Sequence, residues 1–164
     1  MQLSGLIKTT CPPDFLVKVL QSPEVLQELI PEQSDLTQTA PGHFSFSFVK
    51  SFGRVKLTLP GTLNLEPLGT GSDRHLTAAA SHLIGGKVKL QLDLTFTTQG
   101  NVTHWNYQGD VTASGLAGRV LRDNQKRVSM VLRTVLFGVK AKAEQMFNNN
   151  QTPSAGTTNT AATS

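Results

Sequence analysis

One cysteine, one tryptophan and one tyrosine are all that this chain has of those residue types. With Cys11 alone, an intrachain disulfide and a cysteine-based zinc site are excluded. Its setting in Thr10-Cys11-Pro12-Pro13, just before a helix, reads as a small buried residue rather than a nucleophile. No stretch approaches the roughly 18 consecutive apolar residues of a membrane span. The chain opens on strand-like sequence without a basic n-region and an apolar h-region, so no signal peptide is expected and the expected compartment is the cytoplasm. Asn101-Val102-Thr103 matches a glycosylation acceptor, a match without meaning if the chain is not secreted.

Signatures of catalysis are missing as well. His43, His75, His82 and His104 lack metal-ligand spacing. His75 and His82 fall on one expected strand facing opposite sides, and neither has a carboxylate at a useful offset. There is no G-x-S-x-G elbow and no Cys–His pair, and Gly69-Thr70-Gly71 is too short for a dinucleotide fingerprint. Asp93 and Asp110 are expected on outward faces, where they would not cooperate as acid and base. The expectation is a protein that is not an enzyme, with no metal and no cofactor.

What is present begins with charge. The formal net charge is +4, unevenly spread. Residues 1–35 carry five acids against two bases, and residues 116–147 carry seven bases against two acids. Within 116–147 the spacing predicts one long helix of about nine turns. Val120, Val128, Val131, Leu132, Val135, Val139, Ala143 and Met146 fall in one sector. Arg119, Arg122, Lys126, Arg133 and Lys140 fall opposite them. Asn124 and Gln125 interrupt the apolar sector near its start. A basic helical face suits a solvated surface, an anionic membrane surface or an acidic partner. Nucleic acid is disfavoured, because no aromatic residues interleave with the bases.

Ahead of that helix the apolar residues alternate. Residues 2–10 read as an edge strand, with short helices from Pro13 and from Ser22-Pro23-Glu24, the second ended by Pro31. Strands are expected over 33–40, 43–52, 54–66, 73–83, 87–98 and 102–113. Gly53 turns the chain after the second of these, and Pro60-Gly61 reads as a bulge or bend in an edge strand. The turns are too short for parallel crossovers, so the sheet is antiparallel, and its apolar face must be covered by the long helix. Facing that helix are Phe44, Phe46 and Phe48, then Leu90, Leu92 and Leu94, then Trp105 with Tyr107. Together with Val128, Leu132 and Val135 they make either a solid core or the lining of a pocket for a flat or chain-like apolar molecule. The small run Ala78–Ala80 leaves room for the pocket. Residues 1–147 are read as one domain, and 148–164, without a charge or a large apolar side chain, as a disordered polar tail.

Leu3-Ser4-Gly5 in the first strand, Ser22-Pro23-Glu24-Val25-Leu26 leading to Ile30-Pro31, and the close from Gly115-Leu116-Ala117 to Phe147 carry a resemblance. The chain resembles the START-like, or SRPBCC, superfamily, and within it the family of the carbon monoxide dehydrogenase G-subunit. It departs from the family at Glu32, where glycine is common after the Ile-Pro pair. The resemblance implies an α+β helix-grip fold: a strongly curved antiparallel sheet of about seven strands around a long C-terminal helix, with two short helices after the first strand. It implies a hydrophobic cavity and an accessory role: handling a lipid- or quinone-like molecule beside a molybdenum hydroxylase-type dehydrogenase, or recruiting that enzyme to the inner face of the membrane.

Three functional readings stand at this point. The first is a non-catalytic carrier of an apolar small molecule. The second is a peripheral membrane or protein docking module using Arg119, Arg122, Lys126, Arg133 and Lys140. The third is an enzyme of the cyclase or dehydratase type, for which His75 and Tyr107 would be the available titratable groups.

Overall fold

The computed structural model describes residues 1–30, 34–52, 54–82 and 85–149. In chain order the elements are β1 (Gln2–Thr9), α1 (Pro13–Leu20), α2 (Pro23–Leu29), β2 (Ser34–Ala40), β3 (His43–Phe52), β4 (Val55–Pro67), β5 (Arg74–His82), β6 (Gly86–Gln99), β7 (Val102–Ala113), α3 (Gly115–Asp123) and α4 (Gln125–Asn148). The seven strands form one antiparallel sheet in the order β1-β7-β6-β5-β4-β3-β2. The expected stops at Pro31 and Gly53, the departure at Glu32 and the tail beyond Asn149 lie outside the described residues.

Local chemistry accounts for the short helices. Pro13 and Pro23 each sit in a first turn, where a missing N–H costs nothing, and Asp14 and Glu24 add favourable charge there. The Ser22 hydroxyl accepts the Val25 amide at 3.4 Å and so caps α2. The Pro60-Gly61 expectation is corrected in part. β4 is an interior strand, and its pairing with β3 runs through Ser47–Pro60 and Phe46–Gly61 without a shift of register. Pro60 is tolerated one residue beyond the last β4–β5 pair, Gly61 with Ala80, where the strand has a partner on one side only.

The expected single helix is two. Asn124 adopts φ −130° and ψ 33°, outside the helical region. Its side-chain amide donates to the Val120 carbonyl at 2.8 Å, the acceptor its own backbone amide would use in a continuous helix. That backbone amide turns instead to Leu121 O at 3.2 Å, and Val128 N then bonds Asn124 O at 3.0 Å to begin α4. The buried face of α4 centres on Leu136, Val139 and Ala143, and Val131 lies roughly 110° round the helix from it. Val120 and Val131, expected inside, are 55% and 47% exposed.

α3 is held against β6 and β7, with Ala117 N donating to Gly85 O at 2.8 Å. α4 crosses from there to the far end of β1, about 36 Å for its 24 residues. Its second half packs on α1, α2 and β1 through Leu136, Val139 and Ala143. At its end Phe15 and Phe147 meet edge to face at 5.3 Å, and the Thr9 hydroxyl donates to Glu144 Oε1 at 3.3 Å. Gly138 faces Leu29 of α2, whose Cδ2 lies 2.6 Å from where a Cβ would stand, so a larger residue there would turn the Leu29 side chain aside.

Leu94→Ala, which empties a fully buried position on β6, is expected to cost about 2–5 kcal/mol in urea unfolding. Leu116→Ala, at a position 56% exposed on α3, is expected to stay within about 0.5 kcal/mol of the parent.

Candidate functional site

Strand register sorts the concave face into rows. Toward the start of α1 lie Phe96–Trp105–Ile7, then Pro67–Arg74–Leu94–Tyr107–Gly5, then Leu65–Leu76–Leu92–Gly109–Leu3. Almost every large apolar side chain in these three rows is buried against α1, α2 and the second half of α4. Toward α3 the rows are Phe44–Leu63–Ala78–Leu90–Val111 and Phe46–Gly61–Ala80–Val88–Ala113. Phe44 and Val111 are still buried, but Leu63, Ala78, Leu90, Phe46 and Ala80 keep part of their surface in water, and Val88 is 37% exposed.

The expected pocket residues therefore separate into two sets. Leu92, Leu94, Trp105 and Tyr107 belong to the packed end, where Trp105 stacks on Phe96 at 5.9 Å between ring centroids, and Phe44 is buried in the row of Leu63, Ala78 and Leu90. Phe46, Leu90, Val128, Leu132 and Val135 are half-buried. Phe48 falls in the next row, opposite Leu59. Leu121, Val128 and Leu132 face the same apolar mass as Leu63, Ala78 and Leu90. The result is a bowl packed at one end and thinly covered at the other, where the apolar side chains are partly exposed to water. Small residues (Ala78, Gly61 and Ala80) floor the thin end, and the first half of α4 roofs it. The sequence signal for that floor was already visible in the small run at 78–80.

Polar groups near this end are few. Strand alternation puts His82 on the concave side of β5, where its Nδ1 accepts the Gly85 amide at 3.4 Å. Sequence reasoning passed over His82 in favour of His75 and Tyr107. His75 lies on the convex face and pairs with Asp93 across the β5–β6 ladder, Nδ1 to Oδ1 at 2.7 Å. This corrects the expectation that His75 has no carboxylate partner, and its position on the outside removes it from any chemistry within the bowl. Tyr107 covers Gly5 in the packed end. No group of three or more metal-ligating side chains occurs among the described residues.

Two depressions lie away from this end. One, of about 200 Å³, runs between α2 and the second half of α4, and the other, of about 270 Å³, lies over Ser4, Asp93 and Asn106 on the convex face. Both fall below the roughly 300 Å³ at which small-molecule pockets begin. The basic residues Arg119, Arg122, Lys126 and Arg133 are exposed, and Lys140 lies partly against the surface, 3.5 Å from Glu144.

The family model for the G-subunit of carbon monoxide dehydrogenase (CoxG) matches residues 5–149. No curated protein matches the chain. Among solved structures it is similar to a conserved protein from Geobacillus kaustophilus, with 11% identity, TM-score 0.73, and 89% of this chain and 97% of that one covered. It is similar to the aromatase/cyclase Zhui from a Streptomyces species, with 14% identity, TM-score 0.61 and coverages of 90% and 95%. It is also similar to a STAR-related lipid transfer protein from Xanthomonas axonopodis, with 15% identity, TM-score 0.57 and coverages of 87% and 85%. At these identities the likeness shows the START-like, helix-grip fold.

Cys11 bears on the packed end. Burial pushes its thiol above the usual range, the hydrogen bond with Thr9 opposes the shift, and the Glu144 carboxylate adds to it. A raised folded-state value favours the neutral thiol, so its contribution to stability is complete at neutral pH and is lost as pH rises through that raised value. In a thiol-labelling assay at pH 7 the native protein should remain unlabelled while the urea-unfolded chain labels to one equivalent. Fast labelling of the native protein would mean that the packed end opens.

Proposed function

The chain belongs to the carbon monoxide dehydrogenase G-subunit (CoxG) family, and from that premise we propose that it is a non-catalytic carrier of a lipid- or quinone-like molecule. The ligand lies between the first half of α4 and the small-residue floor of β4 and β5. One observation carries this reading: the apolar side chains at that end keep water contact, although most of those on the rest of the same face are buried. Such surface gains roughly 25 cal/mol for each Å² that a ligand covers. A flat ring or an acyl chain fits over Ala78 and Ala80, where larger side chains would fill the space. Val128, Leu132 and Val135 close over it from α4, and Phe46, Leu63 and Leu90 hold its sides.

The binding is driven by exclusion of water, with little polar fixing, so it suits a class of apolar molecules rather than one stereochemically defined substrate. In this reading the protein serves a membrane-linked redox enzyme of the molybdenum hydroxylase type. Among the described residues no helix is long and apolar enough to cross a membrane.

Native mass spectrometry of protein purified from its own host should show a bound apolar mass. A ligand-free mass, together with no uptake of quinones or fatty acids, would remove the proposal. Ala78→Trp, which fills the floor, should weaken binding of a fluorescent fatty acid about tenfold or more, equivalent to at least 1.4 kcal/mol. Ala79→Trp, one residue away on the convex face, should leave binding within about twofold. Equal effects of the two substitutions would point to a general disturbance of the sheet and away from this site.

A further inference from the structure

The outward face of α4 is not a plain solvated surface. Lys126, Met130, Arg133, Phe137 and Lys140 succeed one another at intervals of four, three, four and three residues, which aligns them in one stripe along the helix. Met130 is 67% exposed and Phe137 36% exposed. The Arg133 guanidinium lies 5.3 Å from the Phe137 ring centroid and the Lys140 ammonium 5.7 Å from it. Lys126, Arg127 and Arg133 have no carboxylate partner among the described residues.

We propose that this stripe is a docking surface for an anionic lipid bilayer, with Met130 and Phe137 entering the headgroup region and the flanking cations meeting lipid phosphates and carboxylates. Three observations favour lipid over an acidic protein. Cations alternate with the apolar residues along the stripe, whereas the centre of a protein interface is depleted in lysine. Long basic stems let the charges reach outward while the apolar positions go deeper. The stripe carries no acid between Lys126 and Lys140, so an anionic surface meets no repulsion along about four turns. The inference uses only the outer face of α4 and stands apart from the ligand reading, which uses the inner face.

The test uses the full chain and vesicles of phosphatidylcholine with about one-third phosphatidylserine. The protein should cosediment with these vesicles at low salt, should release as salt rises, and should ignore pure phosphatidylcholine. The double substitution Met130→Asp with Phe137→Asp should lower vesicle affinity at least about tenfold, and Arg133→Glu should lower it several-fold. Fatty-acid uptake should be unchanged in both variants, because neither touches the inner face. As a second measurement that needs no loss of function, Met130→Trp should be quenched by brominated lipid in anionic vesicles. Three results would each overturn the proposal: no binding to anionic vesicles at low salt; binding that charge reversal abolishes but the double apolar substitution leaves intact; or retention only by an acidic protein.

Discussion

The second half of α4 is what the structure depends on. Leu136, Val139 and Ala143 are buried against α1, α2 and the end of β1, and without that contact the most apolar face of the sheet would lie open. Gly138 lets Leu29 come close, and the Thr9–Glu144 hydrogen bond and the Phe15–Phe147 contact fix the far end. Because α1 and α2 are inserted between β1 and β2, all of this packing is concentrated at one end of the bowl. The first half of α4 is carried out over the other end by helix stiffness, with fewer side chains beneath it. The lighter burial of that end is thus a consequence of where two short helices sit.

The break at Asn124 matters to the same geometry. One continuous helix would have to follow both the turn out of β7 and the long diagonal to β1. A single amide side chain that takes the Val120 carbonyl separates these two tasks. α3 can then lie against β6 and β7 while α4 takes its own direction. The cost is exposure of Leu116 and Val120 on α3.

Much of the fold was legible because period two is a strong signal over long strands. Val88 to Phe96 and Thr103 to Val111 needed only alternation to fix their faces, and Pro13 and Pro23 marked the helix starts. The helix break was not legible in the same way. Asn124 gives the same apolar pattern in sequence whether its amide meets solvent or a carbonyl, so the break leaves no trace in a helical wheel. The His75–Asp93 pair was hidden for a different reason: ladder partners are 18 residues apart, and only register brings them together. In the proposed site, the small residues at 78–80 were legible as a run of small side chains on β5. Which of the aromatic residues were consumed by packing depended on where α1 and α2 settle, and alternation says nothing about that.

The two faces of α4 carry opposite chemistry over the same few turns. Val128, Leu132 and Val135 point toward the floor, while Met130, Arg133 and Phe137 point away. The helix is joined to α3 by a break rather than by continuous hydrogen bonding, and its first half rests on half-buried contacts. Its anchored half is fixed by fully buried ones, so displacement of α4 is easiest at the Asn124 end. Pivoting there would alter the roof of the proposed site without disturbing Leu136, Val139 or Ala143. A surface engaged by the outer stripe would therefore act on the least constrained part of the helix, which is also the part that covers the hollow. For the ligand proposed above, exchange at the α3–α4 elbow would disturb less packing than exchange at the packed end, where Trp105 and Leu94 are fully buried.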